Sequence, residues 1–304
     1  MAGSRTLFRK KLCLKGRIQN RRIIKAMASS TNTADWNSFG RANASQKWRR
    51  QSAVMGNDMT QTIVAAARVQ SGMRVLDIAC GTGEPAISLA ALLSGEGEVV
   101  GVDISPAPLK IAEERAAQRR LSNITFQQAD AHALPFPDNS FDRVTSRLGV
   151  MFFSDLPRAL SEMRRVLKPE GRAILLVWGP FDQPYFHTTI GTVLRMLPSA
   201  VMPESGRKMF ALADEDTLTQ ALHKAGFSQV KAELVTVPWT WMGTPEEVWE
   251  YFQDVAVPFA SLLQSIPAEQ RPEIDEAVLQ AIGQYYDGRS IKFTATVNIA
   301  VAVK

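Results

Sequence analysis

The chain has 304 residues, is 45% hydrophobic and 21% charged, and carries a formal net charge of +5. These values are ordinary for a globular protein of one large or two modest domains, and no run approaches the roughly 18 apolar residues of a membrane span. Nine of the 35 basic residues fall within residues 1–27, which hold no acid; the remainder, 26 basic against 30 acidic, gives no whole-surface signal for nucleic acid, and no nucleic-acid partner is expected.

The first segment, residues 1–27, is Arg-rich with scattered apolar residues and lacks the continuous apolar core of a secretory signal. That pattern predicts an organellar transit peptide. Its end, "RRIIKAMASS", resembles a plastid processing site near Met27–Ala28, with a mitochondrial presequence as the close competitor. A disordered basic tail, or translation starting at Met27 to leave a cytoplasmic protein, is the alternative. The two cysteines are Cys13 in this leader and Cys80 in the body. They offer neither an intramolecular disulfide in the body nor metal-type spacing, and no metal is expected.

Residues 28–35 read as a linker, and 36–70 look helical, with Trp36, Phe39, Trp48, Val54, Met55, Ile63 and Val64 as apolar points. Residues 28–72 are therefore linker and N-terminal helices, ahead of a main domain over 73–304. In that domain strands alternate with amphipathic helices. Strands are expected at 74–79, 98–103, 123–130, 141–147 and 172–178, and helices at 84–93, from Ser105–Pro106 to about Arg119, and at 155–168, with "KPEG" as a turn before the fifth strand. After Trp178 come a capped helix (214–227), a strand (228–237), helices over 244–286 broken at Pro258 and Pro267, and a last alternating strand (291–304). The expected fold is α/β: a doubly wound, Rossmann-like, seven-stranded sheet, its last two strands antiparallel and joined by a helical lid insertion near 238–288.

"VLDIACGTGEPAISLA" (75–90) holds Gly81-x-Gly83-x-x-Ala86, with Asp103 about 20 residues on, which fits a dinucleotide fingerprint. Two acids oppose that reading. Asp77 precedes the loop and Glu84 follows it, near where a pyrophosphate would lie. They suit a ligand with an ammonium and a sulfonium cation instead.

The same stretch resembles motif I of class I S-adenosylmethionine (SAM) methyltransferases. "VVGVDIS" resembles their second motif. "FQQADAHALPFPDNSFDRV" and "LSEMRRVLKPEGRAILLVW" resemble blocks of the ubiquinone/menaquinone-type subgroup. The resemblance covers residues 73–178 and implies SAM as methyl donor. It implies that Ala79, Cys80, Gly81 and Gly83 line the methionine part, with Asp77 orienting it. It further implies that Asp103 accepts from both ribose hydroxyls, that Asp130 with the Ala131 backbone takes the adenine amino group, and that Ile104 packs on the adenine face. Arg147 and Leu148 would lie where the acceptor meets the donor. Each acid also has a plainer reading, as a loop cap (Asp77), helix cap (Asp103) or turn residue (Asp130).

Methyl transfer from an activated donor needs alignment first and a general base only where the acceptor must lose a proton. His187 is the candidate base, with a pocket-wall or structural role as its alternative. "SRLGVMFF" lacks the motif of nucleobase amino-methylating enzymes, and the only body cysteine lies in the glycine loop. Trp178, Phe181, Tyr185 and Phe186, with Trp239, Trp241, Trp249, Tyr251, Phe252 and Phe259, are expected to supply core and an apolar lid over a small hydrophobic or aromatic acceptor. The competing readings are a protein or RNA methyltransferase, a non-catalytic SAM-binding protein, and a nicotinamide oxidoreductase. No oligomeric state is predicted.

Overall fold

Seven apolar runs become strands: β1 (Arg74–Ile78), β2 (Glu98–Asp103), β3 (Ile124–Gln128), β4 (Phe141–Arg147), β5 (Leu167–Trp178), β6 (Ser228–Met242) and β7 (Ser290–Val303). In the computed structural model, which describes Ala44 and residues 47–304, they form one sheet in the order β3-β2-β1-β4-β5-β7-β6. The leader with Cys13, the linker, Trp36 and Phe39 lie outside the described residues. β1 to β5 pair in parallel, and β7 runs antiparallel to both β5 and β6. The inner strands are apolar on both faces because helices cover both. α1 (Arg49–Met55) and α2 (Asn57–Ala67) precede the sheet; α3 (Ala86–Leu93), α4 (Pro106–Gln118) and α5 (Leu156–Val166) make the crossovers.

The elements differ from expectation at three places. The fifth strand begins at Leu167, not Arg172, and "KPEG" is absorbed as a bulge. Pairing jumps from Phe141–Leu167 to Arg143–Arg172, and Glu170 takes a left-handed φ of 62°. β6 runs on through Pro238 to Met242, since an edge strand tolerates a residue with no N–H to give. Three short helices also fill a stretch for which the sequence suggested no element: α6 (Pro184–Thr188), α7 (Ile190–Met196) and α8 (Glu204–Met209). Each is under three turns, too short for a 3.6-residue period to register.

α9 (Glu215–Lys224) follows, capped by Asp214, whose side chain accepts from the Thr217 N–H. Between β6 and β7 lie α10 (Pro245–Val255), α11 (Ala260–Gln264) and α12 (Arg271–Gly283). Thr244 and Glu247 form a reciprocal capping box that starts α10 sharply after the strand.

Because β5 ends at Trp178, paired with Val297, the ribbon of Thr236–Met242 and Ser290–Thr296 projects past the carboxyl edge of the parallel strands. Its inward face carries Trp239, Trp241, Ile291 and Phe293, all buried. The N-terminal helices are fastened to this overhang. Trp48 packs 5.4 Å from Trp241, and its indole N–H donates to Asp254 at 2.7 Å. Lys47 pairs beside it with Glu250 and Asp254, an exposed contact worth little by comparison.

Candidate functional site

β1 has one acid among core residues. Asp77 is 0% exposed between Leu76 and Ile78. A buried carboxyl is costly unless both oxygens are bonded. Here Oδ1 accepts from the Thr145 hydroxyl of β4 at 2.8 Å, and Oδ2 from the N–H of Ala86, the first residue of α3, at 3.2 Å. Desolvation raises its pKa from 3.8 to about 7, against the lowering influence of Thr145, Arg147 and Ala86.

The glycine loop joins β1 to α3. Ala79, Gly81 and Gly83 have φ of 57°, 54° and 106°. At Gly83 a Cβ would stand 2.5 Å from Ile87 Cδ1 and 3.1 Å from Ala112 Cβ, so the absent side chain lets α3 and α4 close on the loop. Among the described residues, a Cβ at Gly81 would meet nothing within 4 Å. The loop thus shows bare backbone to open space there, which is the shape that admits a ligand. Cys80 is buried; desolvation, with Asp77 and Asp103 nearby, pushes its thiol well up, so it is an inert packing residue.

Asp103 ends β2 and reaches back to the loop. Its Oδ2 accepts from Gly81 N–H at 2.9 Å, and Oδ1 from Ser105 N–H at 2.9 Å. Beside it Ile104 is 38% exposed, a large apolar side chain facing out, and Gln128 holds its carbonyl at 2.9 Å. Past the next strand end, Asp130 accepts from both the N–H and the Nδ1 of His132, at 2.9 and 2.6 Å. His132 Nε2 takes the Asp155 N–H at 3.2 Å, which assigns the ring its neutral Nδ1–H form. Partial burial of Asp130 raises its pKa, but the His132 bonds outweigh it and hold the carboxyl below its usual value. Ala131 is buried next to it.

Glu84 is not an open negative charge. Arg115 pairs with it at 3.1 Å and also donates to the Thr82 carbonyl at 2.5 Å, while Ser88 donates its hydroxyl to Glu84 at 2.7 Å. Of the two acids flanking the loop, only Asp77 therefore disfavours a pyrophosphate beside it. Arg147 is half-buried at the end of β4, its Nε 3.5 Å from the Glu84 carbonyl, and burial lowers its pKa against the pull of Glu84, Asp77 and Tyr251. His187 lies farther along, on α6. Its ring is 54% exposed, 3.3 Å from Asp182 and 3.3 Å from an Arg195 nitrogen.

Three supporting residues were not singled out from the sequence. Thr145 bonds Asp77, and its signal is a hydroxyl inside an otherwise apolar inner strand. Arg115 clamps the glycine loop from α4. Arg165 binds Glu162 and Asp138 at 2.8 Å and the carbonyls of Leu134 and Phe136, so α5 fixes the loop that carries Asp130.

Residues 69–197 match a family described as a methyltransferase domain. The ubiquinone/menaquinone biosynthesis C-methyltransferase UbiE of Shewanella oneidensis is 35% identical over 182 residues, 55% of this chain and 71% of that protein. Its Shewanella frigidimarina counterpart is 36% identical over 182 residues, 55% of this chain and 70% of that protein. The chain belongs to the UbiE-type class I SAM methyltransferases. It is an enzyme of methyl transfer with SAM as donor. The YcgJ protein of Bacillus subtilis shares the methyltransferase fold at a TM-score of 0.53 and 22% identity, covering 81% of this chain and 97% of that one. The family's donor fits what is present: bare backbone at Gly81, a carboxylate at the end of β2, and an outward Ile104.

Asp77 generates a pH prediction. A pKa of about 7 in the folded state, above an ordinary 3.8, means the fold prefers the neutral acid. That contribution is complete below about pH 4 and is lost as pH rises through 7. Ligand-free protein should therefore melt lower at pH 8 than at pH 5.5. Asp77→Asn, whose amide oxygen can accept from the Ala86 N–H while its amide NH2 donates to the Thr145 hydroxyl without a charge, should show a smaller drop. Scanning fluorimetry on both proteins checks this, and an equal drop in the two would assign the pH dependence to other groups.

Proposed function

We propose that this methyltransferase acts on a small, apolar, aromatic acceptor of quinol type, methylated on a ring carbon. The observation that carries the reading is the overhang. Trp178, Tyr185, Phe186, Trp239 and Phe293 form a buried aromatic wall at the same sheet edge as the glycine loop. The names of the UbiE relatives, quinone-pathway C-methyltransferases, point the same way.

SAM supplies an activated methyl group open to direct displacement. The residues then have these roles. The loop backbone at Ala79, Cys80, Gly81 and Gly83 receives the methionine portion. Asp103 takes the ribose hydroxyls, and Ile104, Asp130 and Ala131 receive the adenine, with His132 holding the Asp130 carboxylate in place. Asp77 favours a cationic group beside the loop, since such a group stabilises its ionised form. Arg147 stands at the border between donor and acceptor. A ring carbon made electron-rich by its own oxygens needs orientation more than proton abstraction. We therefore take His187, exposed and held by Asp182 and Arg195, as outer wall and not as base.

We also propose that residues 1–27 are an organellar targeting segment, plastid ahead of mitochondrion. The support is their basic, acid-free composition against an acidic body. N-terminal sequencing of mature protein from cells should begin near Ala28; an intact Met1 or Ala2 would overturn this.

Two further outcomes are expected. Asp103→Ala should weaken SAM binding by about 1.5–3 kcal/mol, because two ribose hydroxyls lose a charged partner; titration calorimetry reads this, and unchanged affinity removes the assignment. Residues 28–304 incubated with methyl-labelled SAM and an extract of source cells should send label to the organic-soluble fraction. Label in protein or RNA would replace the acceptor class. SAM binding with no label anywhere would favour a non-catalytic role.

A further inference from the structure

Arg143, Thr145 and Arg147 project from one face of β4, two residues apart. α2 lies along that face. Arg143 Nε donates to the carbonyl of Ala67, the last residue of α2, at 2.8 Å. Gly56, just before its first residue, borders Arg147: a Cβ there would stand 3.3 Å from Nη1. On its other side Arg147 reaches the carbonyl of Glu84, two residues before α3. The guanidinium therefore stands between the amino ends of two helices, and both ends carry partial positive charge.

A cation in such surroundings is costly unless it is paired. Other arginines packed against the sheet and its loops follow that rule. Arg143 also takes the Asp142 carbonyl, Arg115 takes Glu84, and Arg165 takes Glu162. Arg147 departs from it. Its one hydrogen bond among the described residues is the Glu84 carbonyl at 3.5 Å, long for such a bond, and no carboxylate lies within 4 Å of it. Glu84, Asp77 and, from α10, Tyr251 act on it at longer range. The carboxylate of Glu84 is held by Arg115 and Ser88, and Asp77 uses both oxygens on Thr145 and Ala86. The Arg147 donors are also not sealed off. Among the described residues, the polar side-chain atoms that lack both a partner and solvent contact belong to Ser105, Ser146, Trp239, Trp241 and Asn298. Arg147 thus offers unbonded N–H groups on an accessible edge beside the glycine loop.

We propose that Arg147 is an anion clamp that takes a carboxylate, and that the carboxylate is the one on the methionine end of the donor. An acid group on the acceptor is the other source of the same chemistry. The position of Asp77 favours the donor. Asp77 lies opposite Thr145 in the register of β1 and β4, on the same face, and Arg147 follows Thr145 by two residues, or about 7 Å. An acid and a base at that spacing suit the two ends of an α-amino acid, whose ammonium and carboxylate share one carbon. The planar guanidinium fork matches a carboxylate through two parallel bonds. This rests on the donor-site reading above, and it makes Arg147 the residue that separates SAM from adenosyl sulfonium compounds without the carboxylate.

The test uses the full chain, with SAM and decarboxylated SAM as probes and titration calorimetry as the readout. Wild-type protein should hold SAM at least about tenfold more tightly than its decarboxylated form. Arg147→Gln should lose that preference by losing SAM affinity alone, with decarboxylated SAM bound as before. Arg147→Lys, which keeps the charge without the fork, should retain part of it. A preference that survives in Arg147→Gln removes the donor carboxylate as the occupant, and an equal loss for both probes makes the residue structural and overturns the clamp. The second arm uses 1-naphthoic acid and 1-naphthamide with S-adenosylhomocysteine present. A preference for the acid that only Arg147→Gln abolishes would move the clamp to the acceptor, and no effect of Arg147→Gln in either arm overturns it altogether. Wild-type protein that binds SAM but shows no carboxylate preference would overturn the clamp and leave the donor site standing, whereas failure to bind SAM at all would end the donor-site reading itself.

Discussion

A carboxyl group without solvent contact sits at the centre of the sheet, and the glycine loop proposed to receive the donor is organised around it. Asp77 is bonded to Thr145 on the neighbouring strand and to the first N–H of α3, so one side chain fixes β1, β4 and the helix that closes the glycine loop. The free N–H groups at a helix start favour an anion there. Burial opposes the charge, and with a pKa of about 7 burial has the upper hand without a ligand. The group is therefore balanced between two states that a neighbouring cation can separate. A hydrophobic residue at this position would pack β1 more cheaply, but it would give up both the helix anchor and that response.

The loop around this acid is shaped by what it lacks. A side chain at Gly83 would strike Ile87, one at Gly101 would strike the Phe126 ring at 2.6 Å, and one at Gly149 would strike Ala79 at 2.6 Å. Only close packing on these sides lets Asp103 reach back to Gly81 and Arg115 reach across to Thr82 and Glu84. Of these four, only Gly81 has none of the described residues within 4 Å of a Cβ. Three glycines serve the protein's own packing and the fourth leaves room for a ligand, a distinction that the spacing G-x-G cannot express.

That difference marks where sequence reading succeeds. The alternation of apolar runs and amphipathic helices gave the sheet, because inner parallel strands must be apolar on both faces and their crossovers must be helical. The acids at strand ends were legible for a related reason: Asp77, Asp103 and Asp130 each follow or interrupt an apolar run. The role of Glu84 was not. Its partner Arg115 lies 31 residues away on α4, and no local pattern shows that its charge is already compensated. α6, α7 and α8 were missed because short helices bury too few residues to show a period. The bulge at Lys168–Gly171 was read as a turn because its residues are those of a turn, and only pairing across to β4 makes them strand. Tyr185 could be named from the sequence as aromatic and near the strand ends. That its ring is buried among Phe186, Phe252, Trp239 and Phe293 depends on Gln183 pairing with Thr296, a contact across 113 residues.

The four acids around the glycine loop are bonded within the protein, while a few buried polar groups nearby are not. On the donor side, Asp77, Glu84, Asp103 and Asp130 all have bonds within the protein, so the cradle is formed before any ligand arrives. Among the described residues, the indole nitrogens of Trp239 and Trp241 on the overhang, and the hydroxyls of Ser105 and Ser146 beside the glycine loop, are buried with no partner. Each such group costs about 1–3 kcal/mol against a bonded one. Preorganisation suits the donor, which is the same at every turnover.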